Sequence, residues 1–169
     1  KCFHNLDELI QSKDEFDAVS VLSPTNLHYE HILKLITNGI QVISEKSMVG
    51  NVKDALLLVD QEDKFQNKVY VTFNYTAYPI VRELKSRIEE NQIGRILNVH
   101  VEMPQEGFLK LNGKMQPPNV QKWRTVDGEL STVSLDLGVH TQNLIQFATG
   151  LCGESFVGVK SHHGLVSQA

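Results

Sequence analysis

Over the first 75 residues, short β-branched runs alternate with amphipathic stretches of helical length, and few folds accommodate that alternation. Residues 6–13 (LDELIQSK) read as a short helix, and residues 16–23 (FDAVSVLS) set Val19 and Val21 in the every-other-residue pattern of a buried strand. Residues 26–38 put Ile32, Leu35 and Ile36 on one helical face, with Gly39 placed as the residue that ends the helix. A second strand follows over 40–44. Residues 51–66 form a helix of about four turns whose apolar stripe reads as Val52, Ala55, Leu56 and Val59. A third strand covers 68–75. Helices of this length between apolar strands imply right-handed crossovers and a parallel sheet, an α/β architecture.

The character changes beyond Tyr75, so we expect two units, 1–76 and 77–169. Residues 78–94 are an amphipathic helix closed by Gly94, and 95–103 (RILNVHVEM) alternate as a half-exposed strand should. A long loop spans 104–128, and loops of that length are usually functional or disordered. The helix "SLDLGVHTQNLIQF" (134–147) offers Leu135, Leu137, Val139, Leu144, Ile145 and Phe147 to a core. It also carries Asp136 and His140 one turn apart, where two polar side chains share a face and can share a ligand. Residues 154–164 (ESFVGVKSHHG) are a further strand candidate.

The totals narrow the function classes. A formal net charge of −4 gives no support to nucleic acid or an anionic membrane as partner. No apolar run reaches the roughly 20 residues of a membrane span. Cys2 and Cys152 are the only cysteines, which excludes a disulfide framework and a cysteine zinc cluster and makes a reducing, cytoplasmic setting the expectation. The start shows no signal-peptide pattern and no initiator Met, so the natural N-terminus is expected upstream.

Three segments, in order and spacing, carry a resemblance that runs from about residue 6 to 160. They are "DAVSVLSPTNLHYEHILKLITNGIQVISEKSM", "VTFNYTAYPIVRELKSRIEENQIGRILNVHVE", and "KWR" followed by "SLDLGVHTQNLIQFATG". The chain resembles the glucose–fructose oxidoreductase, inositol dehydrogenase and MocA group of NAD(P)-dependent oxidoreductases. That resemblance implies the C-terminal part of a Rossmann-type parallel sheet, followed by the start of an α+β substrate and oligomerisation domain. It departs in three places. Ser47 stands where Pro is usual after Glu-Lys, "LSTV" replaces a glycine-rich run before the Asp-x-x-x-His helix, and no Gly-x-Gly-x-x-Gly occurs. The N-terminal phosphate-loop unit is absent, so the chain reads as the middle of a longer protein.

Hydride transfer from an alcohol carbon to a nicotinamide needs a base on the hydroxyl proton and a cation beside the developing alkoxide. The resemblance makes His140 the acid–base group, Asp136 a substrate-hydroxyl ligand, and Lys46 a ligand of both substrate hydroxyl and nicotinamide ribose. Taken singly, Lys46 reads equally as a solvated strand-end cation, Asp136 as a helix cap, and His140 as a hydrogen-bonded half-buried histidine. Pro24, Asn26 and His28 sit on a strand-to-helix turn where a cofactor edge would pass, though Asn26 serves as well as an N-cap. Glu45 is a ribose ligand or a strand-end charge. Asn74 and Tyr75 could face the nicotinamide, but a polar pair at a strand exit is the simpler account. Trp123 and Arg124 could grip an anionic or sugar substrate, or form a structural Arg-on-Trp clip.

The expected function is therefore hydride transfer between NAD or NADP and a hydroxyl or carbonyl of a sugar, cyclitol or related polyol. A homodimer or homotetramer is the expected assembly. The competing reading is an inert scaffold or sensor that keeps the fold. His28 with His31, Asp136 with His140, and His162 with His163 offer ligand pairs, but none matches His-Glu-x-x-His, and no metal is expected.

Overall fold

The computed structural model describes residues 1–65, 68–105, 126–155 and 158. Its first unit is a parallel sheet of β1 (Ala18–Val21), β2 (Gln41–Ser44) and β3 (Val69–Val71) in that spatial order. Helices α2 (Thr25–Thr37) and α3 (Val52–Phe65) make the two crossovers and pack on each other. A short helix α1 (Leu6–Gln11) and a 3-10 turn (Lys13–Glu15) precede the sheet. The α/β reading from alternation thus holds, with β3 shorter than its apolar run and followed by a 3-10 turn, Asn74–Ala77.

Local chemistry starts and stops these elements. Asn5 Oδ1 accepts from the Glu8 N–H at 2.9 Å while the Glu8 carboxylate accepts from the His4 N–H at 3.0 Å, a reciprocal cap on α1. Asn51 does the same work for α3, accepting from the Asp54 N–H at 2.8 Å. The helix α2 begins after Pro24 with no side-chain cap, so Asn26 lies inside its first turn rather than at the N-cap position. It ends as expected at Gly39, whose φ of +80° suits glycine, with the Ile40 N–H reaching back to the Leu35 carbonyl at 3.1 Å.

Strand register builds the core. Val19, Val42 and Val69 stand side by side, as do Val21, Ser44 and Val71, and this face meets α2. Ile32, Leu35 and Ile36 of α2 are completely buried there, with Val42 and Leu58. The opposite face carries the row Ser20, Ile43 and Tyr70, which stays exposed.

Three expectations need correction. On α3 the inward residues are Ala55 and Leu58, while Val52, Leu56 and Val59 are exposed. Leu56, Leu57, Leu58 and Val59 are consecutive and so point to all sides of the helix; periodicity alone does not choose the inward leucine, and packing against α2 does. Residues 95–103 form no strand: among the described residues none lies alongside to complete a ladder, and Leu97 remains 80% exposed. On the last helix, Leu135, Leu137, Val139, Leu144, Ile145 and Phe147 are only half-buried.

That last helix opens with a π-turn, Ser134–Gly138, and continues as α5 (Val139–Thr149), closed by Gly150 at φ +71°. Among the described residues α5 packs on α4 (Pro79–Glu89) and on the 3-10 turn after β3. Its two buried residues are Ala148 and His140.

Candidate functional site

Two parts of the chain about 90 positions apart meet where β2 ends. Lys46 stands two residues beyond the last residue of the strand, at the carboxyl edge where open parallel sheets take their ligands. Its ammonium donates to the Asp136 carboxylate at 2.5 Å and to the Asp136 backbone carbonyl at 2.9 Å. The pair is largely enclosed, with side chains 13% and 15% exposed. Beside it, the buried Ser47 hydroxyl donates to the Leu135 carbonyl at 2.5 Å.

His140 lies one turn beyond Asp136 and is only 6% exposed. Tyr75 stands edge-on to its ring at 4.6 Å between centroids, and Phe73 does so at 5.9 Å. Among the described residues its Nδ1 is buried without a hydrogen-bond partner. Burial lowers the His140 pKa from its ordinary 6.5, and the Lys46 ammonium lowers it further, against the opposing pull of Asp136 and Glu45. The ring is thereby held in its neutral form near pH 7, the form that can accept a proton.

Glu45, Lys46, Asn74, Tyr75, Gln105, Asp136, Leu137 and His140 line one cavity of about 390 Å³. Glu45 accepts from the Thr72 hydroxyl at 2.7 Å, which ties the ends of β2 and β3 together. Lys46, Asp136, His140 and Glu45 are thus gathered as a group. Asn74 and Tyr75, which the simpler account left as a strand-exit pair, belong to the same lining. Gln105 carried no signal in the sequence, being one polar residue at the start of a long loop.

The strand-to-helix turn behaves differently. Pro24 is exposed, and Asn26 lines a neighbouring cleft of about 370 Å³ with Thr25, Asn51 and Asp54, not the Lys46 cavity. His28 turns inward and is 1% exposed. Its Nδ1 lies 2.8 Å from the Ser47 carbonyl oxygen and its Nε2 2.6 Å from that of Ser23, so neither nitrogen is left for a cofactor. The reason is tertiary: α2 packs with His28 on its core-facing side. His31 points its Nδ1 at the Ser23 hydroxyl, 3.0 Å away. Trp123, Arg124, His162 and His163 lie outside the described residues.

The chain is similar to known proteins over most of its length. A model of the GFO_IDH_MocA family, described as an oxidoreductase family with an NAD-binding Rossmann fold, matches residues 1–73. The chain is 29% identical to a glucose-6-phosphate 3-dehydrogenase of Bacillus subtilis (strain 168) over 147 residues, 87% of this chain and 40% of that protein. It is 29% identical to a D-xylose 1-dehydrogenase (NADP+) of Haloarcula marismortui over 138 residues, 80% of this chain and 36% of that one. The crystal structure of an inositol dehydrogenase homolog from Azotobacter vinelandii, complexed with NAD+, superposes with a TM-score of 0.74 at 24% identity, covering 88% of this chain and 39% of its own. The chain therefore spans about two fifths of the length of the proteins it matches. Residues 1–73 thus match the GFO_IDH_MocA oxidoreductase family, and the parallel α/β unit that they form is part of an NAD-binding Rossmann fold.

Proposed function

We propose that the protein interconverts a hydroxyl and a carbonyl on a sugar, cyclitol or related polyol, with NAD or NADP as its redox partner. The observation that carries this reading is the Lys46–Asp136 contact at 2.5 Å, with the neutral, buried His140 one helical turn away in the same cavity. The relatives with dehydrogenase names support the substrate class. Residues 1–76 are then part of the nucleotide domain and 77–169 part of the substrate domain. A homodimer or homotetramer is the assembly proposed with them.

The residues present fit a nicotinamide nucleotide. Glu45, Lys46 and Asn74 stand at or just beyond the carboxyl ends of adjacent parallel strands and line one polar cavity large enough for a small ligand. Glu45 and Lys46 would hold its ribose, with Asn74 beside the nicotinamide and the exposed Pro24–Asn26 edge beside the rest. When bound, the nicotinamide accepts or donates the hydride.

The side chains manage the proton. His140 takes the substrate hydroxyl proton during oxidation and returns it during reduction, a step typically worth about 10²–10⁴-fold. Lys46 stabilises the alkoxide that develops. Asp136 occupies two of the three donors of the Lys46 ammonium, fixing its direction and leaving the third for the substrate oxygen.

The test is a steady-state assay of the full-length protein at 340 nm with NAD and NADP against a panel of hexoses, pentoses and cyclitols. Turnover of at least one, lost in His140→Ala with nucleotide affinity retained, is the expected result. Equal turnover in the variant, or binding of nucleotide without turnover of any polyol, would overturn the assignment, the second in favour of an inert scaffold.

A further inference from the structure

Where the π-turn meets the end of β2, two neighbouring donors face two neighbouring acceptors. The Ser47 hydroxyl donates to the Leu135 carbonyl and the Lys46 ammonium to the Asp136 carbonyl. A π-turn widens the helix and departs from the regular i to i−4 ladder, so its carbonyls can take partners from outside the helix. Both partners here come from one dipeptide 88 to 90 positions earlier. Because the pairs are consecutive on both sides, sliding the helix by one residue would break both bonds at once.

The dipeptide is itself held from behind. Ser47 is 5% exposed, and its carbonyl oxygen lies 2.8 Å from Nδ1 of His28, a fully enclosed side chain whose other nitrogen meets the Ser23 carbonyl. Ser47 is thus gripped through its carbonyl by α2 and grips the π-turn through its hydroxyl. Proline, usual after Glu-Lys in the family this chain resembles, has no hydroxyl and could not make the second contact.

We propose that Ser47 is a positioning residue for the reaction. Its hydroxyl, backed by His28, fixes the π-turn so that Asp136 meets Lys46 and His140 faces the same cavity. The proposal rests on the reading of Lys46, Asp136 and His140 as the reacting side chains. A misplacement of about 1 Å at such a centre can cost 10²-fold in rate, so a bond that sets the turn bears on kcat more than on nucleotide binding.

The experiment compares Ser47→Ala, Ser47→Cys and Ser47→Thr in the full-length protein by amide hydrogen exchange over residues 134–140 and by kcat and KM. Ser47→Ala loses the donor, Ser47→Cys keeps the size with a weak donor, and Ser47→Thr keeps the hydroxyl. Faster exchange and a kcat about 10–100-fold lower are expected in the Ala and Cys variants, with nucleotide KM little changed and most of the loss recovered in Thr. Should Ser47→Ala fail to fold, the Cys and Thr pair carries the comparison.

Unchanged exchange in the Ala and Cys variants overturns the latch. Faster exchange with unchanged kcat overturns its role in positioning, as does an equal loss in all three variants. Lys46→Met and His140→Ala run in the same assay keep the two claims apart. If they retain wild-type turnover the catalytic reading falls and the positioning claim with it, whereas if they lose it while Ser47→Ala does not, only the latch falls.

Discussion

Lys46 Nζ lies 2.5 Å from the Asp136 carboxylate, joining the end of a sheet strand to a helix that begins in the second half of the chain. With both side chains about one-seventh exposed, removing one partner leaves the other poorly solvated. Lys46→Met should destabilise the fold by about 1–3 kcal/mol, less than the roughly 3–5 of a fully enclosed pair. The double variant Lys46→Met with Asp136→Leu should lose less than the two single losses combined. Denaturant titration of the four proteins checks this, and strict additivity would mean that the contact contributes nothing.

His140→Asn should lower kcat by about 10²–10⁴-fold while nucleotide affinity stays within a few-fold. The ring is buried against Tyr75 and Phe73, and asparagine keeps polarity there without a group that titrates near neutrality. Stopped-flow turnover beside a nucleotide titration separates the two effects. Loss of both together would instead mark the residue as structural.

The pH dependence follows from the same ring. Burial first, and then the Lys46 ammonium, hold its pKa below 6.5 in the folded protein. Between that lowered value and 6.5 the unfolded chain binds more protons than the folded one, so stability rises with pH through the window. The contribution is whole above 6.5 and declines as the pH falls below it. Oxidation should show an acid limb in the same range, because the base must be neutral. Following the His140 ring by NMR, Lys46→Met should move its titration upward, since the cation that lowers it is gone; a downward move would contradict the electrostatic account.

Leu35→Ala tests the core. Leu35 is completely buried between α2 and the sheet, and truncations of this kind cost about 2–5 kcal/mol. Leu56→Ala, on the exposed side of α3, should cost well under 1 kcal/mol. Equal losses would mean that the face of α3 has been assigned the wrong way round.

Local pattern was sufficient for much of this protein. The alternation of Val19 and Val21, the i, i+3, i+4 set Ile32, Leu35 and Ile36, and Gly39 at a helix end are short-range features, and each maps onto the element it implies. The spacing of Asp136 and His140 likewise puts them on one face whatever surrounds the helix. Packing settled the remainder. It turned Leu58 inward and Leu56 outward on a helix whose four consecutive apolar residues, Leu56 to Val59, point to all sides, drew His28 into the core, and, among the described residues, left 95–103 without a ladder partner. It also brought Lys46 and Ser47 to the π-turn and added Asn74, Tyr75 and Gln105 to the cavity. A chain's periodicity records which residues avoid water within one element; which elements then touch depends on contacts between residues distant in sequence, and no local pattern encodes those.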